Sequence, residues 1–275
     1  MQRKVFLEKS DEILDGGRLP KDILCKAYLP QARLGELYIR AKRTCLKNIV
    51  ELLHNKNIIE LSGFVNLDLE KDEIIKGVLV DASKSNEDLT ALSEDIKSIK
   101  GVLEVKFSSN VLNGLIIDEL FFPLMVGGER SFTLRVESFG AILKRLYEKF
   151  GTGAAVILYE MGIGMGESKF KSVVSKYHVD KQTAVKIILA ERSAKGWCIA
   201  RIEELNNKGA IVSASELFEC SPFRDNQDKP ISQLFRGYLA GIFQQLYGRN
   251  VSVTESECIA KGDKACRFII QIAKQ

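Results

Sequence analysis

The chain has 275 residues, enough for two domains of ordinary size, and its 45% hydrophobic and 28% charged content is that of a globular protein rather than a disordered one. Its 40 basic and 36 acidic side chains leave a net charge of +4, too balanced to imply a nucleic-acid-binding stripe. The longest apolar stretch, Leu120 to Gly128, is broken by Pro123 and too short to cross a bilayer, the segment from Met1 to Lys9 lacks the apolar centre of a secretion signal, and six cysteines in so long a chain make no disulfide framework. A cytoplasmic protein with reduced thiols is expected.

Residues 1–34 form an N-terminal extension, where Gly16-Gly17, Pro20 and Pro30 predict irregular connections around a short helix. From 35 to 110 the order is strand, helix, strand, strand, helix, strand. Gly35 to Arg40 is β-prone, with Leu37 and Ile39 on one face. Thr44 is placed to cap a helix whose stripe is Leu46, Ile49, Val50 and Leu53, and which ends near His54. Asn57 to Leu69 and Glu73 to Val80 predict a hairpin turning at Glu70-Lys71-Asp72. Ser85 or Asn86 is expected to cap a second helix with the stripe Leu89, Leu92, Ile96 and Ile99; Gly101 ends it, and Val102 to Phe107 is the last strand. This βαββαβ order predicts a ferredoxin-like domain. It resembles ACT domains, which often bind amino acids and often pair edge to edge. The resemblance lies in topology and pattern, and implies a structural or dimerising role at least as readily as ligand binding.

Residues 111–130 are a connector opening on the turn signal Asn113-Gly114. Residues 131–275 make the second domain. Ser131 to Glu137 is expected as a strand, followed by a helix from Ser138 with Ile142, Leu143, Leu146 and Phe150 inward. In the next helical segment, 154–166, the small residues Ala155, Gly162 and Gly166 invite close approach of another backbone, with room for a ligand as the second reading. Asp180 caps a helix from Lys181 to Ala194. Gly196 to Leu205 and Ala210 to Cys220 are expected as paired strands around the turn Asn206 to Gly209, and a helix carrying Gly237-Tyr-Leu-Ala-Gly241 follows.

The chain closes on a hairpin. Val251 to Cys258 and Cys266 to Ile272 are β-prone, and Lys261-Gly262-Asp263 between them is a turn. Glu255, Cys258 and Cys266 thereby come together, and a carboxylate with two thiolates could bind zinc; the structural alternative is a pair of packed hairpin cysteines. This stretch resembles the end of the 4-vinyl reductase domain family, predicted small-molecule binding domains related to the sensor domains of aromatic-responsive bacterial activators. The resemblance covers roughly residues 131–273. In that family a Glu, a Cys three residues on and a Cys after the turn join an upstream Cys around zinc. Glu255, Cys258 and Cys266 match those positions, but Ser232 stands where the upstream Cys belongs, five residues before Gly237. Ser is a poor zinc ligand, and Cys220 is the alternative fourth position. Two outcomes are open: a zinc completed by Cys220 or by water, and, ranked first, a metal-free site with the thiols reduced.

The fold class expected is therefore α+β: a ferredoxin-like N-terminal domain and a C-terminal domain whose antiparallel sheet is flanked by helices. The aromatic residues Trp197, Tyr159, Phe218, Phe243 and Tyr247 are candidates for the wall of a ligand pocket, with core packing as the alternative for the lone tryptophan. His178 and His54 are expected to be solvated. No Ser-His-Asp or Cys-His set, phosphate loop or dinucleotide fingerprint is present, so no catalytic residue is assigned. The resemblance implies a non-catalytic sensor that binds a small apolar or aromatic molecule and forms a homodimer, with no nucleic-acid or membrane partner. An enzyme or accessory factor of tetrapyrrole metabolism is the alternative, and an interaction module like vesicle-tethering subunits is a third reading.

Overall fold

The computed structural model describes residues 21–23 and 25–273. The turn signals at Gly16-Gly17 and Pro20 lie outside them. The chain divides into a unit ending at Ser131 and a second beginning at Phe132.

The first unit contains the expected split βαβ. Strands β2 (Leu34–Lys42), β3 (Ile59–Asp68), β4 (Glu73–Asp81) and β5 (Val102–Ser108) form one antiparallel sheet in the order β3-β4-β2-β5. Helices α1 (Leu46–Asn55) and α2 (Leu89–Ser98) supply Ile49, Leu53, Leu92 and Ile96 to a core shared with Leu37, Ile39, Val78 and Val80. Both cap assignments are corrected. Thr44 lies in a short 3₁₀ turn that leads into α1 without any side-chain cap. The second helix is capped by Asp88, whose carboxylate accepts the Ala91 N–H; Ser85 and Asn86 lie in the preceding loop.

The connector is more ordered than expected. Asn113-Gly114 turns the chain between β6 (Val111–Leu112) and β7 (Leu115–Ile117), and β7 also pairs with β1 (Lys26–Tyr28). Asn113 and Gly114 both take positive φ, 49° and 79°, the geometry of a two-residue hairpin turn. A second small hairpin joins β8 (Met125–Val126) to β9 (Glu129–Arg130).

In the second unit, β10 (Ile199–Asn206), β11 (Gly209–Ser215), β12 (Val251–Glu257) and β13 (Cys266–Ile272) form an antiparallel sheet in the order β10-β11-β13-β12. Helices α3 (Val136–Phe150), α4 (Gly153–Tyr177), α5 (Lys181–Ala194) and α6 (Gln233–Tyr247) accompany it. The sheet and helices α5 and α6 enclose the main core, including Val212, Ile188, Leu239 and Phe268. The arrangement is α+β, as expected. Residues 131–135 are irregular rather than a strand, because the chain enters α3 there. On α3 it is Gly140 and Leu143 that are buried; Ile142 and Phe150 face outward. The partner strand ends at Ser215, and Glu216 turns the chain with φ 52°.

Helices α4 and α6 meet through their glycines. A Cβ on Gly162 would sit 2.2 Å from the Leu234 carbonyl oxygen, and one on Gly237 would sit 2.0 Å from that of Tyr159. Gly166 and Gly241 face Tyr238 and Ile163 in the same way. The backbones are in direct contact, so only glycine fits, and burial against α6 offsets the helix-propensity cost of roughly 1 kcal/mol per glycine. The small residues thus serve packing within the chain, and that face of α4 is already covered.

Candidate metal centre and aromatic wall

The hairpin of β12 and β13 places its donors through a defect in its ladder. In an unbroken strand, residues three apart point to opposite faces. Val251, Val253 and Glu255 alternate inward, and a register shift between Glu255 and Glu257 then moves the phase, so that Cys258 is buried as well. Gly262 turns the chain back in left-handed geometry, with φ 98°, and Asp263 steadies the turn by accepting the Cys258 N–H at 2.8 Å. Cys266 opens β13 on its inward face.

Both upstream candidates arrive at the same place. Cys220 follows the Glu216 turn; its Sγ lies 3.7 Å from Cys258 Sγ and 3.6 Å from Cys266 Sγ. Ser232 precedes α6, and its hydroxyl donates to Glu255 Oε1 at 2.6 Å while lying 2.8 Å from Cys220 Sγ. One donor atom each from Cys220, Glu255, Cys258 and Cys266 falls within 4.8 Å of the others, and all four residues are buried.

The donor set fits a metal. Zinc–sulfur bonds of about 2.3 Å in a tetrahedron set sulfurs about 3.8 Å apart, close to the spacing of these thiols. Cys258, Cys266 and Glu255 with an upstream donor would hold a zinc-like ion. The electrostatics match. Burial pushes the Glu255 carboxyl up to about 8, and hydrogen bonding to the Cys220 and Cys266 thiols holds Cys258 well below the usual thiol range. Cys220 shifts the other way, through its hydrogen bonds to Cys258 and Cys266 and its burial. Negative charge gathered here is one that a divalent cation would neutralise.

Glu219 was not legible as a site residue. It is fully buried, and its carboxylate accepts the Leu234 and Phe235 N–H groups, each at 2.9 Å. It therefore caps α6 from a distant loop, while Ser232, at the cap position, turns its hydroxyl to Glu255 instead. Burial raises Glu219 to about 8.

The five aromatic candidates fall into three places. Trp197 and Phe218 stand together, ring centroids 5.2 Å apart, and the Phe218 N–H donates to the Trp197 carbonyl at 2.8 Å. Phe243 stacks on Tyr247, which edges an open groove of about 370 Å³ with Asp180 and Leu205. Tyr159 lies under the Arg236 guanidinium, 4.9 Å from its ring centre. Two residues that sequence reasoning missed join the first group. Tyr238 is 5.2 Å from Trp197, and the buried Arg192 guanidinium lies over both rings, at 4.7 Å from Trp197 and 5.2 Å from Tyr238. Tyr238 follows Gly237 directly, a signal the motif did carry. His178 closes α4 in left-handed geometry, and His54 is exposed at the end of α1. Among the described residues no helix is long and apolar enough to cross a membrane.

Comparison with known proteins bears on the C-terminal unit. An uncharacterised protein of Methanocaldococcus jannaschii is 23% identical over 122 residues, 44% of this chain and 67% of its own length. The phenol-responsive sensory domain of the transcription activator PoxR, solved with phenol, superposes with a TM-score of 0.48 at 18% identity, covering 54% of this chain and 79% of that one. A vinyl-4-reductase family protein from Methanocaldococcus jannaschii superposes with a TM-score of 0.39 at 19% identity, over 52% of this chain and 85% of that one. Residues 214–272 match the model of the vinyl-4-reductase (V-4-R) domain. That match spans the segment that supplies Cys220, Glu255, Cys258 and Cys266, and it supports the vinyl-4-reductase domain family for this chain.

Proposed function

We propose that this protein is a non-catalytic, cytoplasmic sensor whose C-terminal unit binds a small apolar or aromatic molecule. In this reading Trp197 and Phe218 wall the ligand site together with Tyr238; Phe243, Tyr247 and Tyr159 line its surroundings. A zinc ion pins the closing hairpin at Glu255, Cys258 and Cys266. The N-terminal unit is ACT-like and serves assembly or senses a second metabolite, and the chain works as a homodimer.

One observation carries the reading. Three consecutive residues inside the segment matched by the domain model face three different partners: Phe218 the Trp197 ring, Glu219 the start of α6, and Cys220 the thiol cluster. Aromatic wall, helix anchor and metal donor are thus one loop. A ligand that moves Phe218 moves the other two, which is the coupling a sensor needs.

The single tryptophan makes the test direct. Native mass spectrometry of the purified protein should show one small organic molecule per chain, and the ligand-stripped protein should change its Trp197 emission saturably when titrated with small aromatic compounds. Protein that carries no molecule, and whose emission no compound of such a panel alters up to millimolar concentration, would refute the sensor reading.

A further inference from the structure

We infer that the fourth metal ligand of this chain is Cys220, supplied by the loop after β11, and that Ser232 has become an outer hydrogen-bonding partner that orients Glu255. The inference rests on the reading of the hairpin as a metal centre and decides how that centre is closed.

Both candidates reach the cluster, so proximity alone does not choose between them. Chemistry does. A thiolate is a soft, anionic zinc ligand, whereas a serine hydroxyl stays protonated at neutral pH. Ser232 is also already committed: its hydroxyl donates to Glu255 Oε1 at 2.6 Å, and its N–H donates to Glu255 Oε2 at 3.2 Å. Both of its donors therefore hold the carboxylate, which is how ligating carboxylates are fixed from outside the ligand set. Cys220 lies 3.7 and 3.6 Å from the two hairpin sulfurs, the separation that a tetrahedral trithiolate centre requires.

The move changes what the metal ties together. A ligand at position 232 would bind the metal to the first residue of α6 directly. A ligand at 220 binds it to the loop instead, and α6 is then reached through Glu219, which holds the Leu234 and Phe235 N–H groups. Glu219 is thus a positioning residue that links the centre to the helix bearing Tyr238. The partial positive charge of the α6 N-terminus meets Glu219 and Glu255 together, which offsets the charge of a centre built from three thiolates and a carboxylate.

Cobalt(II) substitution in the full-length chain tests this, because sulfur-to-cobalt charge-transfer absorption scales with the number of thiolates bound. The wild type should take up one cobalt with a three-thiolate band. Cys220→Ser should lose about a third of that band, one of three sulfurs, and bind cobalt on the order of 100-fold more weakly. Ser232→Ala should keep the full band and lose about 10-fold in affinity, as outer-shell changes do. The double variant Cys220→Ser with Ser232→Cys should recover the full band, which separates loss of a ligand from loss of fold. A Cys220→Ser protein with the wild-type band and affinity would overturn the inference and leave the metal centre standing. A wild type that binds no cobalt would overturn both.

Discussion

The Sγ of Cys220 lies 2.8 Å from the Oγ of Ser232, twelve positions along the chain, and both point into one buried cluster. The hairpin thus meets two upstream side chains where three matched donors alone suggested an open or metal-free site. That contact changes the expected metal content. Elemental analysis should find one zinc per chain that survives dialysis against a mild chelator. Stripping it with a strong chelator should lower the Tm of the C-terminal unit by about 5–10 °C, the shift that loss of a tightly bound metal gives a unit of this size. Metal-free protein with an unchanged Tm would contradict this.

The glycines of α4 give a contrast within one helix. A Cβ at Gly162 would strike the Leu234 carbonyl, whereas one at Gly164 meets nothing within 4 Å. Gly162→Ala should therefore destabilise by about 2–3 kcal/mol as α4 and α6 are forced apart. Gly164→Ala should stabilise by about 0.5–1 kcal/mol through helix propensity. Chemical denaturation of the two variants, compared with the wild type, checks both signs.

Glu36 predicts a pH dependence in the first unit. It is buried, it accepts the Glu119 and Leu120 N–H groups, and burial, reinforced by the neighbouring Asp118 carboxyl, pushes it up to about 7 from 4.5. Folded protein therefore binds this proton more tightly than unfolded protein does. Its contribution to stability is fully present below about pH 4.5 and is lost as pH rises through about 7. Glu36→Gln keeps an acceptor for both N–H groups without the charge. It should be more stable than wild type at pH 8 by about 1–3 kcal/mol and show a flatter pH profile between about 5 and 8. A variant less stable than wild type at pH 8 would show that the carboxylate is needed there.

The two units should separate. Residues 132–275 hold a complete core of sheet and helices, so that fragment should be soluble and melt cooperatively on its own. A fragment that is molten by near-ultraviolet circular dichroism while the full chain is folded would show that the boundary is wrong.

Assembly has its own test. The glycine face of α4 is used within the chain, so a homodimer must use other surfaces. Light scattering at micromolar concentration should return twice the 30.8 kDa chain mass, and Gly162→Ala should affect folding stability before it affects assembly.

By itself the sequence determined the elements and the chemistry of the closing hairpin. Periodicity located α1, α2 and their four strands, because apolar side chains repeat at the spacing of the face they bury. It also brought together Glu255, Cys258 and Cys266, because a hairpin is a local structure whose register follows from its turn. Caps were less legible: Asp88 rather than Ser85 or Asn86 holds the start of α2, since several polar residues in succession offer the same hydrogen bond and loop geometry selects one. Only the tertiary structure decided that Cys220 reaches the hairpin, that Glu219 caps α6 from outside it, and that Tyr238 and Arg192 join Trp197. Those contacts span long stretches of chain, and no local period encodes them. They exist because α4 and α6 approach to backbone contact, which fixes where α6 begins and what its first turn meets.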